Sequence, residues 1–144
     1  MRPLTAEEEA VVRSLSRVIY ALPRAVDADM SREQRLSLIE YLTMMHLCEA
    51  PWRQLRMGEL ADACEMSLSG TTRVVQRLES EGFIQRVRCD RDSRGWHAAL
   101  TAASLARLEE AWPTNLAAVR RHFLDHLKGI DLAKLATALQ NVAG

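Results

Sequence analysis

A short break in helical periodicity is the feature that most constrains the fold of this chain. Apolar residues recur at steps of three and four on both sides of the break, whereas residues 83–89 and 96–101 alternate like short β-strands. Residues 90–95 between them are polar, charged or glycine, which is typical of a hairpin tip. The sequence therefore predicts four helices, two strands and two further helices, in that order: a mainly α fold with a small β-hairpin.

Capping patterns predict where the first helices begin. Thr5 and Glu8 form a capping box at the start of the first helix. Ser31 and Gln34 match the same pattern, so a second helix is expected from Ser31, ending before Pro51. A short third helix is expected from its apolar stripe, which consists of Met57, Leu60, Ala61 and Cys64.

The helices after the hairpin carry long apolar stripes. The fifth helix is expected to begin near Thr101, to bend at Pro113 and to end at residues 128–129. Asp131 is expected to cap the last helix. These two helices hold more apolar positions than a small core can cover, which favours a partner helix from a second protomer.

The fourth helix has two chemically distinct faces. Ser67 is expected to cap it, and Gly82 to stop it after Glu81. The face predicted to pack consists of Leu68, Thr71, Val75 and Leu78. The face predicted to be exposed consists of Ser69, Thr72, Arg73, Gln76 and Ser80. Arginine can pair with guanine, glutamine with adenine, and hydroxyls with bases or phosphates. A merely solvated amphipathic helix is the alternative.

The neighbours of this helix favour a DNA-binding role. The third helix, a turn at residues 65–66 and the fourth helix form a helix-turn-helix. The following hairpin tip carries Arg91, Asp92 and Arg94, and a carboxylate beside an arginine can hold the guanidinium extended towards a narrow minor groove. Together these elements predict a winged helix-turn-helix domain.

Charge and motifs exclude several other classes. Nineteen basic and nineteen acidic residues cancel over the chain, but residues 67–97 hold six arginines against four acidic residues, a local charge of +2. No nucleophile elbow, phosphate-binding loop or zinc-protease motif is present, so no enzyme and no cofactor is expected. Without a secretory signal or a bilayer-length apolar run, a cytoplasmic protein without membrane contact is expected.

The chain resembles the multiple-antibiotic-resistance regulator (MarR) family over nearly its full length, most strongly over residues 55–101. The matching stretches are Leu60-Ala61, residues 67–79, Gly82-Phe83-Ile84, Arg86, Asp92-Ser93-Arg94 and Leu100-Thr101. The resemblance implies a single unit over residues 1–144, with a winged-helix lobe at about 31–101. Residues 1–30 and 102–144 would form a helical dimerisation region. It also implies a homodimeric repressor that a small, often aromatic, ligand releases from DNA.

These predictions define the residues expected to contact DNA and an effector. A dimer should recognise a pseudo-palindrome with half-sites about one helical turn apart in double-stranded DNA. The expected DNA contacts are Ser67, Ser69, Gly70, Thr71, Thr72, Arg73, Gln76, Arg77, Arg91, Asp92 and Arg94. The effector pocket that the resemblance implies would offer Tyr20, Arg24, Tyr41, Met45, His46 and Trp112.

Three alternatives remain open. His122 and His126 have the i, i+4 helical spacing that suits zinc, with Asp125 nearby, although two histidines do not complete a site and no metal is expected. A redox-responsive regulator would use Cys89 on the hairpin, because Cys64 lies on an apolar stripe. A winged-helix module that binds protein instead of DNA is the third alternative.

Overall fold

The structure is a computed structural model that describes residues 1–88 and 95–144. The helices it describes are α1 (Ala6–Gln34), α2 (Leu38–Glu49), α3 (Met57–Ala63), α4 (Leu68–Ser80), α5 (Ala102–His122) and α6 (Leu132–Ala143). The strands are β1 (Gln54–Arg56), β2 (Ile84–Arg88) and β3 (Trp96–Leu100). Two short 3-10 turns lie at Pro51–Arg53 and Leu124–His126. The predicted mainly α fold with a small β-hairpin is confirmed.

The start of the first helix is as predicted, but its end is not. The Thr5 hydroxyl accepts from the Glu8 backbone N–H, and the Glu8 carboxylate accepts from the Thr5 N–H, which completes the capping box. The predicted break at Ser31 is wrong, because α1 continues to Gln34. Met30, just before Ser31, is fully buried in the core, so the apolar stripe of α1 holds the helix through that position.

The real boundary between the first two helices lies a few residues later. Arg35 adopts the left-handed conformation (φ 52°) that commonly ends a helix. Ser37 and Glu40 then form the capping box that begins α2. The Asp27 carboxylate accepts from the Leu38 N–H at 2.8 Å, so α1 itself helps to satisfy the start of α2. The lobe boundary expected at residues 30–31 therefore falls inside a helix.

A third strand was missed by the sequence analysis. β1 pairs antiparallel with β3, with Leu55 opposite Ala98, and β2 pairs with the other edge of β3, so the strand order is β1-β3-β2. The His97 imidazole Nδ1 lies 3.1 Å from the Gln54 side-chain oxygen across this pair. The sheet therefore ties the hairpin to the segment that precedes α3.

The core lies between the C-terminal half of α1, the helices α2 to α5 and one face of the sheet. Its fully buried large side chains include Met30, Leu36, Met44, Leu47, Leu60, Val75 and Leu78. Thr101 adds a polar link between hairpin and helix, because its hydroxyl donates to the Gly82 carbonyl at 2.7 Å. This core fixes α4 against the rest of the chain.

The C-terminal helices differ in part from the prediction. α5 passes through Pro113 but ends at His122 instead of residues 128–129, because Phe123 leaves helical geometry (φ −134°, ψ −69°). Asp131 caps α6 as predicted, and its carboxylate accepts from the Lys134 N–H. In the part of the chain that the structure describes, no helix is both long and apolar enough to cross a membrane.

Two helices each expose several large apolar side chains to solvent. The N-terminal half of α1 exposes a stripe formed by Val11, Val12, Leu15, Val18 and Ile19, and α6 exposes Leu132, Leu139 and Val142. The stripe on α1 follows the i, i+4, i+7, i+8 spacing of a helical contact face. Contiguous apolar surfaces of this kind mark interaction sites.

Candidate nucleic-acid interface

The turn before α4 is held by backbone hydrogen bonds. Glu65 takes a left-handed conformation (φ 54°), and its N–H donates to the Asp62 carbonyl. The Met66 N–H donates to the Ala61 carbonyl at 3.0 Å, which closes the end of α3. This tight turn sets α4 directly after α3 and confirms the predicted helix-turn-helix.

Three buried residues of α4 seat it on the core. Thr71, Val75 and Leu78 are each no more than 1% exposed. The opposite face is open to solvent and carries Ser69, Arg73, Gln76, Arg77 and Ser80, with Thr72 half-buried at its edge. The helix therefore presents one continuous polar face, with two arginines and a glutamine, on a rigidly packed body.

The N-terminus of α4 is built from small residues. The Ser67 hydroxyl accepts from the Gly70 N–H at 3.1 Å, as expected for the cap. A Cβ added at Gly70 would lie 3.1 Å from the Met66 methyl carbon and 3.1 Å from the Ser67 hydroxyl. Glycine at this position therefore also serves packing inside the turn, which the sequence analysis missed.

Two positions of α4 depart from the predicted faces. Leu68 is 56% exposed instead of packed, because it is the first residue of the helix and lies beyond the edge of the core. Thr71 was placed among the DNA contacts, but its side chain is buried and its hydroxyl donates to the Ser67 carbonyl at 2.9 Å. Thr71 therefore supports the helix from below.

The hairpin continues the polar surface. Arg86 on β2 forms an ion pair with Glu79 of α4, with 3.4 Å between Nε and the carboxylate oxygen. Farther along, the Arg88 guanidinium carbon lies 5.7 Å from the centre of the Trp96 ring. The predicted tip residues Arg91, Asp92 and Arg94 lie outside the described residues, as does Cys89.

A buried carboxylate joins the two long helices. Asp29 of α1 is 5% exposed, and it accepts hydrogen bonds from Arg32 at 2.7 Å and from Arg121 of α5 at 3.0 Å. The His122 imidazole Nε2 lies 2.8 Å from the same carboxylate. The hydrogen bonds from Arg32 and His122 lower the pKa of Asp29 below its ordinary value. Asp29 is therefore held ionised at the junction of α1 and α5.

The six predicted effector residues do not share one environment. Tyr41 is 3% exposed inside the core, where burial raises its pKa. Tyr20 and Trp112 are more than half exposed, on α1 and α5 respectively. Met45 and His46 are half-buried on α2. The exposure of these residues therefore ranges from core to solvent.

Arg24, the remaining predicted effector residue, lines a groove between α1, α2 and α4. The groove has a volume of about 510 Å³. Its apolar lining comes mainly from Pro23, Leu38 and Leu42, and Arg77 of α4 forms part of its wall. The groove thus places two arginines and the Asp27 carboxylate beside an apolar surface, and it adjoins the polar face of α4.

The described geometry bears on the metal alternative, whereas the redox alternative depends on Cys89, which lies outside the described residues. His122 and His126 do not share a helix, because α5 ends between them, and His122 is engaged by Asp29. Residues 1–88 and 95–144 contain no group of three or more side chains placed to hold a metal ion. Burial raises the pKa of the Cys64 thiol, which lies 3.7 Å from the Thr43 hydroxyl.

A helix-turn-helix followed by a β-hairpin, with an exposed polar helix face, defines a winged helix-turn-helix protein. The sequence model of the MarR family matches residues 36–95. Sco3205 from Streptomyces coelicolor, a MarR family transcriptional regulator solved in complex with DNA, is 33% identical over 99% of this chain and 90% of its own, with a TM-score of 0.88. The curated proteins contain no match to the sequence.

Two further structures are similar over nearly their whole length. AbsC, another Streptomyces coelicolor MarR family regulator, is 31% identical over 99% of this chain and 96% of its own, with a TM-score of 0.87. The C80S mutant of MarR from E. coli, solved with operator DNA, shares the fold at 21% identity, with coverage of 99% and 100% and a TM-score of 0.78. The chain belongs to the MarR family of DNA-binding transcriptional regulators.

Proposed function

We propose that this regulator is a homodimeric repressor that binds a pseudo-palindromic operator in double-stranded DNA. In this proposal α4 of each protomer enters the major groove, and each hairpin tip reaches the flanking minor groove. The contacts proposed on α4 and its cap are Ser67, Ser69, Gly70, Thr72, Arg73, Gln76 and Arg77. Those proposed on the tip remain Arg91, Asp92 and Arg94.

The exposed face of α4 is the observation that carries the proposal. Arg73 and Gln76 are exposed one turn apart, and they are the side chains that form bidentate pairs with guanine and adenine. The buried residues Thr71, Val75 and Leu78 hold that face in place. DNA binding therefore requires little further ordering of the helix, and the associated free-energy cost is small. A solvated helix without a partner would not need this combination.

The proposed dimer rests on the exposed apolar surfaces of α1 and α6. Leu15 and Ile19 of α1 are 42% and 56% exposed, and Leu139 of α6 is 44% exposed. No residue of α6, which the structure describes in full, is buried. A second copy of this chain is the partner that would cover both surfaces and supply the second recognition helix. In this arrangement residues 1–30 and 102–144 form the dimerisation region.

Arg73→Ala is expected to weaken operator binding by roughly 10- to 100-fold, the value of one good bidentate base contact. The operator is first obtained by selecting bound duplexes from a random pool. Dissociation constants are then measured by fluorescence anisotropy at one fixed salt concentration. Arg53→Ala, which removes the same charge from an exposed turn before β1, is the matched control. Equal affinity of Arg73→Ala and the wild type would contradict the assignment of α4 to the major groove.

We further propose that a small aromatic acid relieves repression by binding the groove between α1, α2 and α4. The groove offers apolar contacts to a ring, while Arg24 and Arg77 offer charge-assisted hydrogen bonds to a carboxylate. The one carboxylate in the lining, Asp27, already accepts from the Leu38 N–H, and the two arginines outnumber it. Arg77 also lies at the edge of the proposed DNA-binding face. A ligand that engages Arg77 would therefore compete with DNA for it.

Calorimetric titration with a panel of aromatic carboxylates tests this site. We expect at least one acid to bind the wild type, and Arg24→Ala to weaken that binding roughly 10-fold, as the loss of a charge-assisted hydrogen bond implies. The same acid should weaken operator binding by the wild type. Arg17→Ala, an exposed arginine elsewhere on α1, is the control. Binding that survives Arg24→Ala unchanged would exclude this groove.

A further inference from the structure

Arg88 and Trp96 contact each other across the two strands at the neck of the hairpin. They are direct cross-strand partners in the antiparallel ladder of β2 and β3. The guanidinium carbon lies 5.7 Å from the centre of the indole ring, within the range of a cation–π contact. Arg88 is exposed and Trp96 is 48% exposed, so the pair stands largely in water.

The pair lies on the side of the sheet that faces α4. Cross-strand partners share a face, and so do residues two apart along a strand. Arg86 and Ala98 are therefore on the same face as Arg88 and Trp96. Ala98 is buried on the core, and Arg86 reaches Glu79 of α4. Arg88 and Trp96 thus continue the same face about 7 Å farther along the hairpin, past the edge of the core.

The described contact of Arg88 is with an aromatic ring and not with a carboxylate. Arg86 has a carboxylate partner in Glu79. Arg88, in contrast, has no carboxylate within ion-pair distance among residues 1–88 and 95–144, and its contact is with the indole face. Stacking on a ring occupies the plane of the guanidinium and leaves its N–H edge free to donate. The site therefore presents a pre-oriented cationic donor beside an exposed aromatic surface.

We propose that Arg88 and Trp96 together clamp a phosphodiester of the DNA backbone, between the contacts of α4 and those of the hairpin tip. Arg88 donates to the phosphate, and Trp96 holds the guanidinium in place and packs against the adjoining sugar. Backbone contacts of this kind position a protein on a duplex without reading its sequence. This inference rests on the proposed function, because it requires DNA to approach the face of α4.

The salt dependence of binding tests the clamp. Each phosphate contact contributes about 0.9 to the slope of log K against log salt concentration. Arg88→Ala is expected to reduce that slope by about one and to weaken binding to operator and to random duplex by the same factor, roughly 3- to 10-fold. Trp96→Ala is expected to weaken binding about 2- to 5-fold, the range of an exposed cation–π contact. Trp96→Phe should retain most of the affinity.

Matched controls lie at the other end of the same sheet. Trp52 and Arg53 directly precede β1 and are both exposed, so Trp52→Ala and Arg53→Ala remove the same side chains far from the hairpin neck. Both control variants should keep the wild-type slope. An unchanged slope for Arg88→Ala would overturn the clamp, and so would a variant whose only defect is a lower melting temperature.

The two proposals fail in different ways. If Arg73→Ala weakens operator binding while Arg88→Ala keeps the wild-type slope, the proposed function stands and the clamp falls. If the wild type binds no duplex at low salt, both fall, because a phosphate clamp has no role without DNA. A loss of slope in Arg88→Ala together with sequence-selective weakening would also contradict a contact to the backbone.

Discussion

Replacing Leu15 and Ile19 together with glutamate is expected to abolish the proposed dimer and, with it, high-affinity operator binding. Both side chains lie on the exposed apolar stripe of α1, 42% and 56% exposed. Four residues apart, they would place two carboxylates inside the proposed contact, where burying an unpaired charge is strongly unfavourable. The variant should sediment as a monomer at micromolar concentration. Its DNA affinity should fall roughly 10³-fold or more, towards non-specific binding.

A charge-matched control distinguishes the effect of added negative charge on α1 from the effect of placing that charge on the apolar stripe. Ala10→Glu together with Arg17→Gln changes the net charge by the same amount on the same helix, but both positions point away from the stripe. This control should sediment as a dimer and bind operator like the wild type. A Leu15→Glu, Ile19→Glu protein that still forms the dimer would show that α1 is not part of the interface.

Leu78→Ala is expected to cost about 2–5 kcal/mol of unfolding free energy, a large fraction of the stability of a small domain. Leu78 is fully buried under α4, so its truncation leaves a cavity as well as a loss of apolar contact. Urea denaturation followed by circular dichroism measures the change. The midpoint should fall while the slope of free energy against urea stays constant.

Leu68→Ala provides the comparison within the same helix. The chemical change is identical, but Leu68 is 56% exposed at the first position of α4, so its cost should stay within about 0.5 kcal/mol. Equal effects of the two substitutions would mean that α4 is not seated on the core as the structure shows.

Capping patterns show that local sequence alone does not determine where a helix begins. Thr5 with Glu8 and Ser31 with Gln34 fit the same capping-box pattern, yet only the first begins a helix. A capping pattern shows only that a helix could begin at a residue. At Ser31 the helix continues instead, because the neighbouring Met30 is buried in the core as part of α1. The true start, with Ser37 and Glu40, is also visible in the sequence. Choosing between two adequate caps requires the tertiary contacts of α1.

Non-local pairing explains the missed strand. Residues 54–56 are too few to show an alternating pattern, and their partner β3 lies some forty residues away along the chain. The hairpin of β2 and β3 was predictable because its two strands flank a single polar turn. Sequence periodicity finds strands that pair with near neighbours more readily than strands that complete a sheet edge.

The candidate site was predictable where it depends on one helix. The polar face of α4, its Ser67 cap and its Gly82 stop follow from spacing alone. The exposure of Leu68 and the burial of Tyr41 did not follow from spacing, because both depend on which other elements lie nearby. The pairing of Arg88 with Trp96 needed the strand register, which fixes the two side chains opposite one another.

The unbroken length of α1 has a mechanical consequence for operator choice. Its axis from Leu15 to Gln34 is about 28 Å long at 1.5 Å per residue, and its far end is fastened to the lobe through Asp27 and through Arg107, which donates to the Gln34 carbonyl. A tilt of about 10° at the near end therefore displaces Gln34 by about 5 Å, more than the rise of one base pair, about 3.4 Å. In the proposed dimer, the range of half-site spacings that the protein tolerates would therefore report how rigidly the two α1 helices are held against each other.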